Sequence, residues 1–123
     1  MNNVELLIFK NSEFITGSYN GIVIIIRQCD GFINATKFCN QFNKKFNKIH
    51  ENQSWRAYFN EFCLDIGVEP FSVQLVYELK KGVSFDFRGT YVDPRLINYI
   101  AIWASPRYAV YVGKIMDLIN AHN

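Results

Sequence analysis

Five β-branched residues in a row, Ile22-Val-Ile-Ile-Ile26, stand between two turn dipeptides, Asn20-Gly21 and Asp30-Gly31. A run with no polar alternation predicts a strand covered on both faces, so the rest of the chain must supply two apolar layers. It can: half of its 123 residues are apolar and 16% are aromatic, enough for a real core in one domain over residues 1–123. Five residues fall far short of the roughly 20 that span a bilayer. The start, Met1-Asn-Asn-Val-Glu5, shows no signal peptide. Three cysteines, Cys29, Cys39 and Cys63, with no CxxC pair predict buried thiols in a reducing compartment. An intracellular protein with no membrane segment is expected.

Either side of that run the sequence punctuates itself. Val4–Phe9 predicts an edge strand. Asp30-Gly31 predicts a type I′ turn pairing the run with Phe32-Ile33. Asn34 then predicts an N-cap, and Phe38, Cys39, Phe42 and Phe46 predict one face of a first helix. Residues 47–53 are polar and break the pattern. Ser54 is the next cap candidate, followed by Trp55, Tyr58, Phe59, Phe62 and Ile66 at helical spacing, with Gly67 as the stop.

Beyond Pro70, Val73, Leu75, Tyr77 and Leu79 alternate with polar residues, as do Val83, Phe85 and Phe87. Lys80-Lys81-Gly82 lies between, predicting a β-hairpin with a basic tip. Asp93-Pro94 and Ser105-Pro106 each place a capping side chain before a proline, predicting two final helices. The expected fold is α+β, a small antiparallel sheet with four helices laid out like a winged helix-turn-helix.

The net charge is only +2, but its distribution is uneven. Lys37, Lys44, Lys45, Lys48 and Arg56 meet a single acid, Glu51, between residues 37 and 56, a local charge of +4. Lysines at helix ends commonly do no more than complement the helix dipole and keep a surface soluble. Here Asn52, Gln53 and other amides interleave with them, and amides can read base edges or contact phosphates. The N-terminus of the second helix, at Ser54, suits a phosphate. Glu61 and Asp65 on that helix would repel one, so insertion by its first turns is expected, with Gln53, Ser54, Arg56 and Asn60 at the nucleic acid. Lys80, Lys81 and Arg88 would contact the backbone from the hairpin. Phe38, Phe42, Trp55, Phe62 and Trp103 are expected in the core, and Gly31 and Gly89 to serve backbone geometry. With no paired carboxylates, no nucleophile–base pair and distant histidines (His50, His122), no enzyme, metal or cofactor is expected.

Three stretches, Gly31-Phe-Ile-Asn-Ala-Thr-Lys37 with Trp55 downstream, Arg88-Gly-Thr-Tyr-Val-Asp-Pro94 and Ile100-Ala-Ile-Trp-Ala-Ser-Pro106, resemble the KilA-N domain over about residues 20–120. That family occurs in phages and large DNA viruses, poxviruses among them, and is similar to the fungal APSES domain. The resemblance implies a viral DNA-binding domain with a helix-turn-helix and a wing, acting in the host cytoplasm (the viral factory) or nucleus, in some poxvirus proteins ahead of a RING finger that makes a ubiquitin ligase. The chain departs from the family in carrying Asp93 where a histidine is usual, and in a longer loop before Trp55. Duplex DNA is the expected partner. A module recruiting a host or viral protein, or a binder of RNA or single strands, are the alternatives.

Overall fold

The structure, a computed structural model, describes residues 6–70 and 74–121. Its sheet is built from β1 (Leu6–Lys10), β2 (Phe14–Tyr19), β3 (Ile22–Arg27), β4 (Ile33–Asn34), β5 (Val76–Leu79) and β6 (Gly89–Val92), in the order β1-β2-β3-β4-β6-β5 with every pair antiparallel. The expected edge strand is present from Leu6 onward; Val4, like Val73 and His122, lies outside the described residues.

The five β-branched residues form β3, covered on both faces as expected. Ile22, Ile24 and Ile26 join the main core with Phe38, Trp55, Ile100 and Ile115, while Ile25 packs on the opposite face with Phe14, Phe32 and Tyr91. The turns differ from expectation. The type I′ turn is at Asn20-Gly21, where φ is 54° and 82°; Asp30 has no positive φ. Residues 28–31 instead make a four-residue connection closed by Arg27 N–H to the Phe32 carbonyl at 2.8 Å, with the Asp30 carboxylate accepting from Phe32 N–H at 2.9 Å. The expected β3–β4 pairing, Ile26 with Ile33, survives.

Helix α1 (Ala35–Asn40) begins at the Asn34 cap but ends early. Asn43 adopts φ 58°, and Lys44 N–H turns back to the Cys39 carbonyl at 3.2 Å, which closes the helix before Phe46. Asparagine tolerates that left-handed step, so it supplies the stop a glycine would. Phe46 and Ile49 are buried instead from a 3-10 helix, Phe46–Glu51. Helix α2 (Gln53–Ile66) starts two residues earlier than Ser54 predicted, because Asn52 Oδ1 accepts from Trp55 N–H at 2.8 Å. Gly67, φ 73°, ends it as expected.

The hairpin also departs from expectation. β5 pairs with β6, Leu79 opposite Gly89, and residues 80–88 form a connection containing a 3-10 turn, Phe85–Phe87. Val83 and Phe87 pack half-buried against the second face of the sheet, where Phe87 stacks on Phe14 at 4.3 Å. Their alternation mimics a strand although their backbone is not paired as one. Asp93 caps a 3-10 turn, Pro94–Leu96, that leads into α3 (Ile97–Ala104), and α4 (Pro106–Ala121) follows. Cys39 and Cys63 are buried, but Cys29 is exposed on the β3–β4 connection, contrary to expectation. No helix of the described residues is long and apolar enough to cross a membrane.

Asp93 yields a pH prediction. It is 7% exposed, and its carboxylate accepts from Arg95 N–H at 2.9 Å, Nε at 3.0 Å and Nη2 at 2.9 Å. Burial pushes its pKa up, but the Arg95 hydrogen bonds and charge outweigh that and hold it below the ordinary carboxylate value. A folded-state pKa below the unfolded one gives stability that is present above about pH 4 and lost as pH falls through the folded value. Arg95 is largely exposed, so the gain is modest. Asp93→Asn, which keeps a capping oxygen, should be slightly less stable than the natural protein at neutral pH. Urea midpoints should converge below about pH 4; a constant gap would show that the charge is not responsible.

Candidate nucleic-acid interface

The site grows from Asn34, which is fully buried. Its Oδ1 accepts from Lys37 N–H at 2.9 Å, while its Nδ2 donates to the Phe87 and Arg88 carbonyls at 3.3 and 3.1 Å. Two residues on, Thr36 Oγ1 accepts from Thr90 N–H at 2.9 Å. Gly89 makes this approach possible: a Cβ there would lie 2.6 Å from Asn34 Oδ1. The first two stretches that carry the family resemblance therefore meet in space, and they fasten the return limb of the hairpin to the start of α1. At the other limb, Tyr77 Oη donates to Asp30 Oδ2 and accepts from Arg27 Nη1. Burial and the Asp30 hydrogen bond push the Tyr77 phenol up to about 12, so it stays a donor at neutral pH. Local chemistry marks Asn34 as a cap, but nothing in the sequence marks Asn34 or Tyr77 as holding the hairpin.

Against this frame the basic residues divide. Lys37 is drawn to the hairpin connection, its ammonium 4.1 Å from the centre of the Phe85 ring. Lys44 turns toward α3, 4.9 Å over Trp103. Lys48 pairs with Glu51 at 3.2 Å and Lys80 with Glu78 at 2.9 Å, both at exposed positions where such pairs contribute little. Arg88 Nε donates to the Val83 carbonyl at 3.2 Å and so braces the connection from within. The side chains of Lys45 and Lys81 are exposed and have neither ion pair nor hydrogen bond among the described residues.

The first turns of α2 hold the polar candidates. Asn52 is engaged as the cap, its oxygen on Trp55 N–H. Arg56 Nη1 donates to the His50 carbonyl at 2.7 Å, which folds it back on the preceding 3-10 helix. Gln53, Arg56 and Asn60 are all exposed and recur at i, i+3 and i+7, one stripe of the helix. Ser54, Glu61 and Asp65 form a second stripe roughly a third of a turn away. The acids thus align with Ser54 and leave the Gln53–Arg56–Asn60 stripe clear. Sequence reasoning missed Phe85, 70% exposed in the middle of the basic connection; the signal available was an aromatic residue set among Lys80, Lys81 and Arg88 between two glycines, Gly82 and Gly89.

The family model for the KilA-N domain matches residues 17–122. Two KilA-N domain-containing proteins of Acanthamoeba polyphaga mimivirus are similar to the chain. One is 32% identical over 117 residues, covering 94% of this chain and 25% of its own length; the other is 30% identical over 112 residues, covering 87% and 31%. An uncharacterized protein of fowlpox virus is 26% identical over 106 residues, covering 86% and 36%. The chain therefore spans about a quarter to a third of the length of these relatives. No solved structure matches it.

Proposed function

Because the chain belongs to the KilA-N domain family, we propose that it binds duplex DNA as a viral winged helix-turn-helix, with α1, the 3-10 helix 46–51 and α2 as the helical part and residues 80–88 as the wing. The observation that carries this reading is the attachment of the basic hairpin connection to the start of α1 through Asn34, Thr36 and Gly89. It sets a second basic segment against the helical one, so that both engage one duplex. Lys37, Lys45, Lys48, Lys81 and Arg88 neutralise phosphates; the pairs of Lys48 and Lys80 with neighbouring acids are weak enough to exchange for phosphate. Gln53, Arg56 and Asn60 present one stripe to base edges. Lys44, held over Trp103, contributes less than its place in the basic cluster implied.

The domain acts by binding, without chemistry of its own. Asn34 and Thr36 are engaged with backbone groups, and burial pushes the Cys39 thiol up to about 12. With roughly three to five phosphates neutralised, log K falls against log salt with a slope of about −3 to −5. A salt titration with random-sequence duplex measures it, and a slope near zero would rule out the electrostatic reading.

One observation favours a second reading, a module for a host or viral protein. Among the described residues the outer strand β1 has no neighbour beyond it in the sheet, and it exposes Leu7 and Phe9, at 46% and 64%. Sedimentation of the protein alone and with duplex DNA decides: self-association through β1 with no uptake of duplex supports this reading. Competition among duplex, single-stranded DNA and RNA at fixed salt tests the preference for duplex.

A further inference from the structure

The connection 80–88 carries three large apolar residues that behave differently. Val83 and Phe87 pack half-buried against the sheet, whereas Phe85 between them stays 70% exposed. Its position is fixed on both sides. Phe87 N–H donates to the Ser84 carbonyl at 3.0 Å and Arg88 N–H to the Phe85 carbonyl at 3.1 Å, and the Phe87 and Arg88 carbonyls are held by Asn34. A phenyl ring is thus presented outward by a braced backbone; exposure alone is ordinary, as at Leu64 and Val110, and what sets Phe85 apart is the basic segment that carries it and the ammonium against its face. The surroundings are polar and basic: Lys80, Lys81 and Arg88 share the connection, and the Lys37 ammonium stands 4.1 Å from the ring centre. Asp86 is the one acid of the connection, and the 3-10 turn sets it about 120° round from Phe85.

We propose that Phe85 is an apolar wedge that inserts between base pairs of bound duplex DNA, with Lys37 on the flanking phosphate. The inference rests on the DNA-binding reading above and adds to it a residue and a mode of contact. Wedges of this kind enter where unstacking costs least, at flexible pyrimidine–purine steps, and kink the duplex there. The ring supplies apolar contact for the parted bases. Lys37, leaving the ring face for a phosphate, keeps the wedge in register.

The test uses the protein with short duplexes that carry the fluorescent base 2-aminopurine beside a TA step, with Phe85→Ala and Phe85→Leu as variants. The natural protein should raise 2-aminopurine fluorescence on binding, the signature of an unstacked step. Phe85→Ala should abolish that rise and bind about tenfold more weakly with an unchanged salt slope, since no charge is removed. Phe85→Leu should retain most of the fluorescence change, because leucine also wedges. Equal melting temperatures confirm that the variants are folded. If Phe85→Ala binds and reports like the natural protein, the wedge is overturned while DNA binding stands. If Phe85 proves to matter only for single strands, insertion into duplex is overturned as well. If the natural protein binds no duplex at any salt, the DNA-binding reading itself fails, and the wedge with it.

Discussion

Replacing Gly89 by alanine is expected to destabilise the domain by about 3 kcal/mol, a fall of roughly 10 °C in its melting temperature for a chain of this length. The added Cβ would lie 2.6 Å from Asn34 Oδ1, 3.0 Å from Thr36 Cβ and 3.1 Å from Asn34 Cγ. Neither neighbour can retreat cheaply. Asn34 is fully buried and joins α1 to the hairpin through three hydrogen bonds, and Thr36 accepts from Thr90 N–H. Displacing the Asn34 amide forfeits the helix cap, about 1 kcal/mol, and the part-buried bonds to the Phe87 and Arg88 carbonyls, about 1 kcal/mol each, although Phe87 keeps the Tyr91 hydroxyl. The backbone adds to this, since φ at Gly89 is 149°, a value side chains resist. Gly21→Ala is the control: φ is 82° but nothing lies within 4 Å of the new Cβ, so it should cost only about 1–2 kcal/mol of backbone strain. Thermal melts of the two variants test the ranking. In the double variant Asn34→Ala/Gly89→Ala the losses should sum to less than their total, because removing the amide opens the space that the Cβ needs. Equal melting of Gly89→Ala and the natural protein would show that the Asn34–Gly89 contact does not hold the hairpin.

That contact also explains where the sequence could be read and where it could not. The run Ile22–Ile26 announced its strand because five β-branched residues leave few other options, and Asn34, Gly67 and Asp93-Pro94 announced helix ends because their local chemistry suffices. The hairpin register did not follow from its pattern. Val83, Phe85 and Phe87 alternate as convincingly as a strand, yet Gly89–Val92 is the segment that pairs, since only there does a glycine let the backbone reach Asn34. The second helix began at Asn52 instead of Ser54 because the start is set by the 3-10 helix that buries Phe46 and Ile49, a tertiary cause. The basic cluster was legible as charge along the chain. Which lysines stand free was not, because it depends on the company of Glu51, Glu78, Trp103 and Phe85 in space.

The charge-reversal variant Lys45→Glu/Lys81→Glu should weaken binding of duplex DNA by about a hundredfold or more at ~0.1 M salt, at every sequence. Each phosphate contact is worth roughly a factor of ten under those conditions, and reversal adds repulsion to the lost contact. The salt slope should become shallower by about 2. These two lysines isolate the effect because neither side chain has an intramolecular ion pair or hydrogen bond among the described residues, so the melting temperature should hold. Lys44 would be a poorer choice: its ammonium lies over Trp103, and reversing it would cost up to about 1 kcal/mol of stability that has nothing to do with DNA. The pair also spans the two basic segments, Lys45 at the head of the 3-10 helix and Lys81 on the hairpin connection. If both segments grip one duplex, each single variant weakens binding and the two effects add. If Lys45→Glu alone acts, the hairpin is no wing and the helical segment binds by itself. If the double variant binds as the natural protein does, phosphate recognition lies elsewhere on the domain, and the attachment of the hairpin to α1 serves the fold alone.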